Sequence, residues 1–401
     1  MEFISSRSLL SAVFLLVGLY VAFGNKLPQL NQESPRAASQ YVLPNSKITP
    51  KILIVSLFSA EADVWYEHLP GTQFGDLQAQ AISVPGLSPQ YPSVYCTADG
   101  GICQITTGMS EINAAATITS VILSGKFDFR KTYFLIAGIA GVNPKQGTLG
   151  SVALSQFAVQ VALQYEIDPR EVPSHWETGY FSFGTEGPAA YPTEFYGTEV
   201  FELNGALRDL AAGFASLATL NDTDNAKNYR SKFGSAGEAY YPATLPPSVL
   251  KCDVTTSDVF FSGYRLGETF EKVVSTWTSG LGKYCMSAME DNAVLEVLVR
   301  FHVSNLVDYN RAILLRTGSN FDRAPPGVDA VTHLRGEHLN SIQNARANIY
   351  LAGIEIVKGI LGGWDAVFIQ GVPSSNYVGD IWGTLGGFPD FRPSDGLKVI
   401  G

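Results

Sequence analysis

Residues 131–141, KTYFLIAGIAG, form an apolar run that ends in glycines. A run without polar alternation is typical of a strand buried on both faces of a parallel sheet. KILIVSLFS from Lys51 and ICQITTG from Ile102 predict further strands, and EINAAATITSVILSG from Glu111 predicts a helix that ends at Gly125. Strands and helices therefore alternate along the chain, which indicates an α/β fold.

The same alternation continues to the end of the chain. GTLGSVALSQFAV at 147–159 predicts a fourth strand, whereas 164–250 is aromatic, proline-rich and loop-like, with one helix that Asn204 can cap. YNRAILLRTGS at 309–319 predicts another strand, and 340–362 predicts the last helix. We therefore expect one domain over residues 48–401.

The amino terminus resembles a targeting segment. In residues 1–24, Arg7 precedes an apolar run over 9–23 that ends in small residues, as in a secretory signal peptide. The run is nearly long enough to be a signal anchor instead. Residues 25–47 are polar with scattered prolines and predict a linker. We expect the folded part to enter the secretory pathway and to be secreted, vacuolar or at the cell surface.

Composition excludes several classes of function. The chain has 401 residues, 46% of them hydrophobic and 16% charged, which describes a folded globular protein. Its formal net charge is −10 and no Lys/Arg cluster offsets it, so a nucleic-acid-binding surface is not expected. After the first segment, no apolar run reaches transmembrane length, which argues against a multi-span membrane domain.

Four cysteines fit an oxidising compartment. Cys96 and Cys103 flank the turn-forming TADGG, so we expect a disulfide that closes this hairpin. Cys252 and Cys285 could form a second bridge, although nothing local demands it. Asn221 begins a well-formed N-glycosylation sequon in a polar loop.

No signature of a metal or a nucleotide cofactor appears. The histidines do not form the helical pair-plus-Glu pattern of a metalloprotease, and we interpret His333 and His338 as polar surface residues. GIAGVNPKQG fits neither the Walker nor the Rossmann spacing, and the nucleophile-elbow pattern is missing. We therefore expect no metal and no cofactor, with phosphate possible only as a co-substrate.

The segment CMSAMEDNAVLEVLVRF at 285–301 carries acids at an unusual place. It predicts a strand that ends near Ser287 and a helix with Glu290 and Asp291 in its first turn. Carboxylates there stabilise a helix by interacting with its unpaired amide groups. The carboxyl end of a strand in an α/β sheet is also where ligands bind, so the acids could face a cleft. The segment alone leaves both interpretations open.

Five segments taken in order favour the second interpretation. They resemble the successive motifs of the nucleoside phosphorylase and nucleosidase superfamily, with methylthioadenosine nucleosidases as the bacterial likeness: TTGMSEINAAATI, LIAGIAGVNPKQGTLGSVALS, TSDVFF, AMEDNAVLEVLVRF and LLRTGSNFD. The whole chain is similar to the fungal family named purine nucleoside permeases, over residues 51–361. The resemblance implies a nucleoside phosphorylase-like three-layer α/β fold, with a central mixed twisted sheet flanked by helices, and a homodimer or higher homo-oligomer.

The resemblance also implies a ribose site at Met289 and Glu290, where the Glu290 carboxylate would accept hydrogen bonds from the 2′ and 3′ hydroxyls. Cleavage of an N-glycosidic bond puts positive charge on the sugar, and a fixed anion stabilises that transition state. Phe260 matches the aromatic residue that stacks on the base, although a core position explains it nearly as well. Gly138, Ala140 and Gly141 match the loop whose backbone lies along the nucleoside.

Asn320 departs from the nucleosidase pattern, in which an Asp protonates or hydrogen-bonds N7 of the departing purine. An amide can donate to N7 and pair with a 6-oxo group, which weakly favours inosine or guanosine over adenosine. Asp322, two residues later, is a possible substitute acid.

Thr107 and Gly108 match the segment that touches the attacking water or phosphate. LFSAEADVW aligns with the turn that supplies the water-activating Glu, which makes Glu61 the candidate general base and Asp63 the alternative. Hexameric phosphorylases place an Arg in this turn, and none is present here, so hydrolysis is favoured over phosphorolysis.

Two functions follow from the resemblance. The first is cleavage of purine nucleosides, namely inosine, guanosine or adenosine, in support of nucleoside salvage. The second is a non-catalytic nucleoside-binding role in transport across the membrane. Both predict nucleoside binding, and they differ in whether the bound nucleoside is cleaved.

Overall fold

The computed structural model describes residues 46–337 and 341–393. The predicted signal peptide or anchor at 1–24, the linker up to residue 45, His338 and Asn340 lie outside the described residues. Within the described residues, no helix is both long enough and apolar enough to cross a bilayer.

Fifteen strands are described, most of them in one sheet. They are β1 (Ile52–Ser56), β2 (Gln80–Ser83), β3 (Ser93–Cys96), β4 (Ile102–Thr106), β5 (Tyr133–Val142), β6 (Val152–Ser155), β7 (Phe157–Gln160), β8 (Tyr165–Glu166), β9 (Tyr180–Phe181), β10 (Val200–Glu202), β11 (Val249–Lys251), β12 (Asp253–Thr256), β13 (Tyr284–Ala288), β14 (Ala312–Phe321) and β15 (Gly379–Asp380).

The α-helices of the described residues alternate with these strands. They are α1 (Ser59–His68), α2 (Glu111–Leu123), α3 (Gly205–Ala215), α4 (Asp224–Arg230), α5 (Tyr241–Thr244), α6 (Tyr264–Trp277), α7 (Asp291–Val303), α8 (Ala330–Thr332) and α9 (Ile342–Gly362).

The sheet is mixed, and its centre is β5. Strand β1 pairs in parallel with β4 and β5, and β14 pairs in parallel with β5 along nearly its whole length. Strands β13 and β6 join antiparallel to β5 and β14, respectively. The predicted α/β fold with a central mixed sheet is therefore confirmed.

Helices cover both faces of the sheet, which gives three layers. Along β1, Leu53 and Val55 belong to a buried cluster with α2 and α7, whereas Ile52 and Ile54 belong to a second cluster with α1, α3 and α9. Successive residues of a strand point to opposite faces, so an all-apolar strand serves both clusters. This explains why KILIVS lacks polar alternation.

The sheet opens beside β5. Strand β1 pairs with β5 only at residues 133–136, and β13 pairs with the same edge of β5 at Gly141 and Val142. Because β14 occupies the other edge, residues 137–140 of β5 have no strand of the described residues on the β1 side. A gap where strand direction changes, at the carboxyl ends of parallel strands, is the usual place for a ligand crevice.

Local predictions agree with the structure except at some boundaries. The side chain of Asn204 accepts a hydrogen bond from the Leu207 amide and caps α3, as its position before the helix predicts. The strand predicted at 309–319 instead spans Ala312–Phe321, because residues 309–311 form a 3₁₀ turn capped by Asp308.

His333 was wrongly predicted to be a surface residue. It is buried, its Nδ1 pairs with the Tyr229 hydroxyl, and its Nε2 lies 2.9 Å from the carbonyl oxygen of Phe321. Both ring nitrogens of His333 therefore have partners within the protein, so the ring can be buried without water. The sequence around His333 does not reveal those partners.

The structure contains two disulfides. Cys96 bonds to Cys103 across the paired strands β3 and β4, and Cys252 bonds to Cys285 at the starts of β12 and β13. Asn221, the sequon residue, is exposed, while its backbone N–H donates to the Asn348 side chain.

Candidate active site

A cavity of ≈ 180 Å³ lies at the gap beside β5. The segments that follow β1, β4 and β12 line it together with the carboxyl-terminal parts of β5, β13 and β14. Its lining is Leu57, Phe58, Glu61, Met109, Ile139, Ala140, Gly141, Ser257, Val259, Phe260, Phe261, Ser287, Ala288, Met289, Glu290, Arg316, Ser319 and Asn320. The structure thus brings together residues that the sequence analysis took from five separate segments.

Glu61 closes the open edge of β5. Its Oε1 accepts the Ile139 amide and its Oε2 accepts the Leu57 amide, both at 2.7 Å. The Ile139 amide lies in the part of β5 without a strand on the β1 side, so the carboxylate replaces a missing strand partner. Glu61 is therefore held in one position at the wall of the cavity, with both oxygens bonded to backbone amides.

Gly138 allows two charged side chains to cross β5. A Cβ atom at this position would lie 2.4 Å from Arg316 Nη1 and 2.7 Å from Glu61 Oε1. Both distances are below contact, so any side chain here would displace the charged groups or the strand. Gly138 does not line the cavity; it supports the residues that do.

We expect Gly138→Ala to lower both the stability of the protein and the nucleoside binding that the resemblance implies, because the new methyl group meets Arg316, Glu61 and Leu57. Overpacking of this kind costs about 1–3 kcal/mol of unfolding free energy. Denaturant unfolding and nucleoside titration of the variant measure the two effects. Ala137→Gly, on the neighbouring residue of β5, is a control that perturbs the same strand by removing a buried methyl group and brings no new atom against Arg316 or Glu61. Unchanged binding by Gly138→Ala would contradict the conclusion that Arg316 and Glu61 need the space above Gly138.

Arg316 is the cation of the site and was not predicted. It lies in β14, is 1% exposed, and donates to both oxygens of Asp291, to Glu290 Oε2 and to the Ile139 carbonyl. A signal for it exists in the sequence, since Arg interrupts the buried strand AILLRTG, and a buried cation requires anionic partners.

Glu290 and Asp291 are neighbours in the sequence, but only Glu290 faces the cavity. Asp291, fully buried in the first turn of α7, pairs with Arg316 at 2.7 Å. Glu290 immediately precedes the helix and lines the cavity; its Oε1 accepts the Ser110 amide at 3.1 Å. Asp291 therefore fixes the guanidinium, and Glu290 faces the space that a ligand would occupy.

The cluster holds more negative than positive charge. Burial raises the pKa of Glu61 to about 7; Arg316 and the two amide donors oppose this shift, and the Glu290 carboxylate adds to it. Burial also raises the pKa of Glu290, against the attraction of Arg316. For Arg316, burial opposes the charged form, but Asp291, Glu290 and Glu61 outweigh it and raise the pKa of the guanidinium. A cation entering the cavity would relieve the repulsion among the carboxylates.

The far wall of the cavity is polar and built on a bulge. The β5–β14 register shifts between Gly318 and Asn320, and such bulges re-aim side chains next to functional sites. Asn320 Oδ1 accepts the Ser319 hydroxyl, and its Nδ2 donates to the Phe321 carbonyl at 3.1 Å. A Cβ on Gly141 would lie 3.2 Å from Asn320 Nδ2, so the glycine leaves room for the amide. One amide hydrogen of Asn320 remains for a ligand.

The mouth of the cavity is apolar. Met109, Val259 and Phe260 are each more than half exposed and line it. The core interpretation of Phe260 is therefore wrong, because the ring is exposed at the cavity. An exposed aromatic face beside a polar wall suits a flat heteroaromatic ligand.

Several predicted residues lie outside the cavity lining. Thr107 and Gly108 are adjacent to Met109, but the Thr107 hydroxyl donates to the Gly108 carbonyl within the segment itself. Asp63 lies on α1, two residues beyond Glu61, and does not line the cavity. Asp322 is buried against Arg323 and accepts the Tyr284 hydroxyl. Neither aspartate is positioned to act on a ligand here.

Within the described residues, His, Cys, Asp and Glu side chains form no group suited to hold a metal ion. A larger groove of ≈ 960 Å³ lies along α6, and none of the predicted site residues lines it.

Among known protein families, residues 49–373 match the family described as purine nucleoside permease. The purine nucleoside permease of Candida albicans is 41% identical over 361 residues, which cover 88% of this chain and 86% of the relative. A probable purine nucleoside permease of Schizosaccharomyces pombe is 36% identical over 329 residues, covering 80% and 91% of the two chains.

Two solved bacterial structures are similar at low identity. A 5′-methylthioadenosine/S-adenosylhomocysteine nucleosidase of Neisseria meningitidis has 13% identity and a TM-score of 0.45, covering 78% of this chain and 99% of its own. The futalosine hydrolase of Helicobacter pylori has 15% identity and a TM-score of 0.44, covering 76% and 98%. Both names describe those bacterial proteins, at identities too low to carry an activity to this chain.

Proposed function

The chain belongs to the purine nucleoside permease family, and we propose that it binds purine nucleosides and hydrolyses their N-glycosidic bond. Binding is the part that the family membership supports. Cleavage is the part that the arrangement of Glu61, Glu290 and Arg316 supports, together with the likeness of its motifs to those of nucleosidases.

The observation that carries the proposal is the excess of carboxylates around a small cavity. Glu61, Glu290 and Asp291 surround one guanidinium, and all four groups are nearly fully buried. Breaking the bond between ribose and base develops positive charge on the sugar. Fixed anions in a poorly solvated site stabilise that charge more in the transition state than in the bound nucleoside.

The residues then have distinct roles in the reaction. Glu290 accepts hydrogen bonds from the ribose hydroxyls, beside Met289. Glu61 accepts a proton from water as the water oxygen bonds to the anomeric carbon. The base departs with the electron pair of the broken carbon–nitrogen bond, and Asn320 stabilises it by donating a hydrogen bond to N7. Solvent supplies the proton that the free base requires.

Water fits the site better than phosphate as the attacking group. Arg316 is the only lysine or arginine among the described residues that line the cavity, and its donors are directed at Asp291, Glu290 and the Ile139 carbonyl. The sequence argument from the missing Arg after β1 is incomplete, since Arg316 reaches the cavity from β14. Hydrolysis is still favoured, because no cation is free to hold a phosphate dianion. For the same reason, we propose nucleosides rather than nucleotides as substrates.

The preferred base is proposed to carry a 6-oxo group. Asn320 can donate to N7 and does not supply an acidic proton, which suits inosine or guanosine more than adenosine. Phe260 offers its exposed ring to the face of the base. The ratio of kcat/KM for inosine and adenosine measures this preference.

Base release by the purified protein tests the proposal. Inosine, guanosine and adenosine are incubated with the protein in the presence and absence of phosphate, and free base is quantified by chromatography. We expect release that does not depend on phosphate. Release only with phosphate would overturn hydrolysis in favour of phosphorolysis.

The second candidate is a nucleoside-binding role in transport, which the family name favours. It predicts a complex that forms and dissociates without release of base. Calorimetric titration with inosine, run beside the release assay, separates the two candidates. Binding without any base release would support the transport-related role and contradict the enzyme.

A further inference from the structure

A second cavity, of ≈ 660 Å³, lies at the opposite ends of the central strands. It is lined by four cationic side chains: Lys51, Arg130, Lys131 and Arg311. Lys51 immediately precedes β1, Arg311 immediately precedes β14, and Lys131 lies two residues before β5. These strands are parallel, so their amino ends lie side by side at the same end of the sheet. The nucleoside cavity lies at their carboxyl ends, roughly 25 Å away for eight residues of β5 at about 3.3 Å each.

Two of these cations already form ion pairs with aspartates. Arg130 pairs with Asp128, which also lines the cavity, and Arg311 pairs with Asp308. Among the ion pairs of the described residues, Lys51 and Lys131 take part in none. The cavity therefore retains positive charge on a chain whose formal net charge is −10.

Contacts with neighbouring segments hold two of the four cationic side chains, Arg311 and Lys51, in place, whereas Lys131 is exposed. Arg311 is 3% exposed, and its guanidinium donates to the carbonyls of Lys131, Phe368 and Ile369, which ties three segments of the wall together. The ammonium of Lys51 lies 5.2 Å from the centre of the Trp364 ring, a cation–π contact that holds it over the cavity wall. Preformed cationic groups lose little conformational entropy when an anion binds.

Neutral donors accompany the lysines. Thr49, Asn305 and Gln370 line the same cavity, and their side chains make no hydrogen bond within the part of the chain that the structure describes. Each can donate a hydrogen bond to an oxygen atom of a ligand. Cations and hydroxyl or amide donors together are the groups that bind phosphate oxygens.

We propose that this basic cavity binds a ligand with several phosphate oxygens, such as a polyphosphate or the phosphomonoester head group of a lipid. Lys51 and Lys131 supply the charge, and Thr49, Asn305 and Gln370 supply the neutral hydrogen bonds. The cavity is large enough for more than one phosphate group. This inference is independent of the chemistry at the nucleoside cavity.

Calorimetric titration of the purified protein with sodium tripolyphosphate tests the soluble ligand. The test variant is Lys51→Gln with Lys131→Gln, and the control is Lys283→Gln with Lys358→Gln, which removes the same charge from outside the cavity. We expect the test variant to bind about tenfold more weakly or worse, because two direct charge contacts are lost. The control is expected to bind within about twofold of the unchanged protein, and thermal unfolding verifies that both variants fold.

Sedimentation with lipid vesicles tests the other source of the same phosphate chemistry. Vesicles of phosphatidylcholine with phosphatidic acid are compared with vesicles of phosphatidylcholine alone. Binding only to the former, lost in the test variant and kept in the control, would assign the cavity to a lipid head group. The proposal is overturned if neither tripolyphosphate nor phosphatidic acid binds, or if the control variant loses as much affinity as the test variant.

Discussion

Replacement of Glu61 by Gln is expected to lower kcat/KM for inosine hydrolysis by about 10²–10⁴-fold, the usual contribution of a general base. The amide keeps the size of the side chain and can still accept one of the two backbone hydrogen bonds, from Leu57 or Ile139. It cannot accept a proton from water. Steady-state release of hypoxanthine measures the loss, and calorimetric binding of inosine shows whether the cavity is preserved.

The pH dependence provides a second signature of the same residue. Burial raises the pKa of Glu61 to about 7, and a general base must be ionised, so kcat/KM is expected to rise with pH and level off above about 7. In Glu61→Gln this rising limb of the pH profile of kcat/KM should disappear, leaving only a limb due to Glu290. Asp63→Asn, on the same helix, is the control and should keep both the rate and the limb. If Asp63→Asn lost the limb instead, Asp63 would be the base.

Replacement of Glu290 by Ala is expected to lower kcat/KM for inosine by about 10²–10³-fold, because it removes the anion that we propose lies nearest the ribose. The fold should persist, since Asp291 still pairs with Arg316 and continues to anchor the start of α7. The structural losses are the acceptor for the Ser110 amide and the hydrogen bond from Arg316 to Glu290 Oε2. Thermal unfolding of the variant checks that only the site is affected.

The substrate can be varied to show what Glu290 touches. If its carboxylate accepts hydrogen bonds from the ribose hydroxyls, Glu290→Ala should cost less with 2′-deoxyinosine than with inosine, because one partner is already missing. Glu296→Ala provides the control: this residue lies on α7, the helix that Glu290 precedes, pairs with Arg300, and does not line the cavity. Equal losses with both substrates would contradict ribose binding, and unchanged turnover would contradict the site.

The strands and helices that build the site could be predicted from local sequence. Apolar runs identified β1, β5 and the core of β14, and a single capping residue, Asn204, located the start of α3. These features depend on neighbours in the chain, so their signals are local. The position of Glu61 and Glu290 in one cavity required the resemblance to a family, because they lie 229 positions apart in the sequence.

The remaining features depend on contacts between distant segments. Arg316 stands out in an apolar strand, but its role follows only from its approach to Asp291 across Gly138. Asp322 has the chemistry of a substitute acid, yet Arg323 and Tyr284 already bind it. A residue type therefore shows what a side chain can do, and its partners decide whether it is available.

The place of β14 in the sheet has a consequence for how the chain folds during synthesis. Strand β14 lies against β5 along nearly its whole length but follows it by some 170 residues, so a ribosome completes the centre of the sheet late. Until then, one edge of β5 has no permanent partner, and an unpaired apolar strand is prone to aggregation. Pairing between such distant strands also slows folding. Truncations that end before residue 312 should therefore yield insoluble protein, whereas the nucleoside cavity can form only after β14 has left the ribosome.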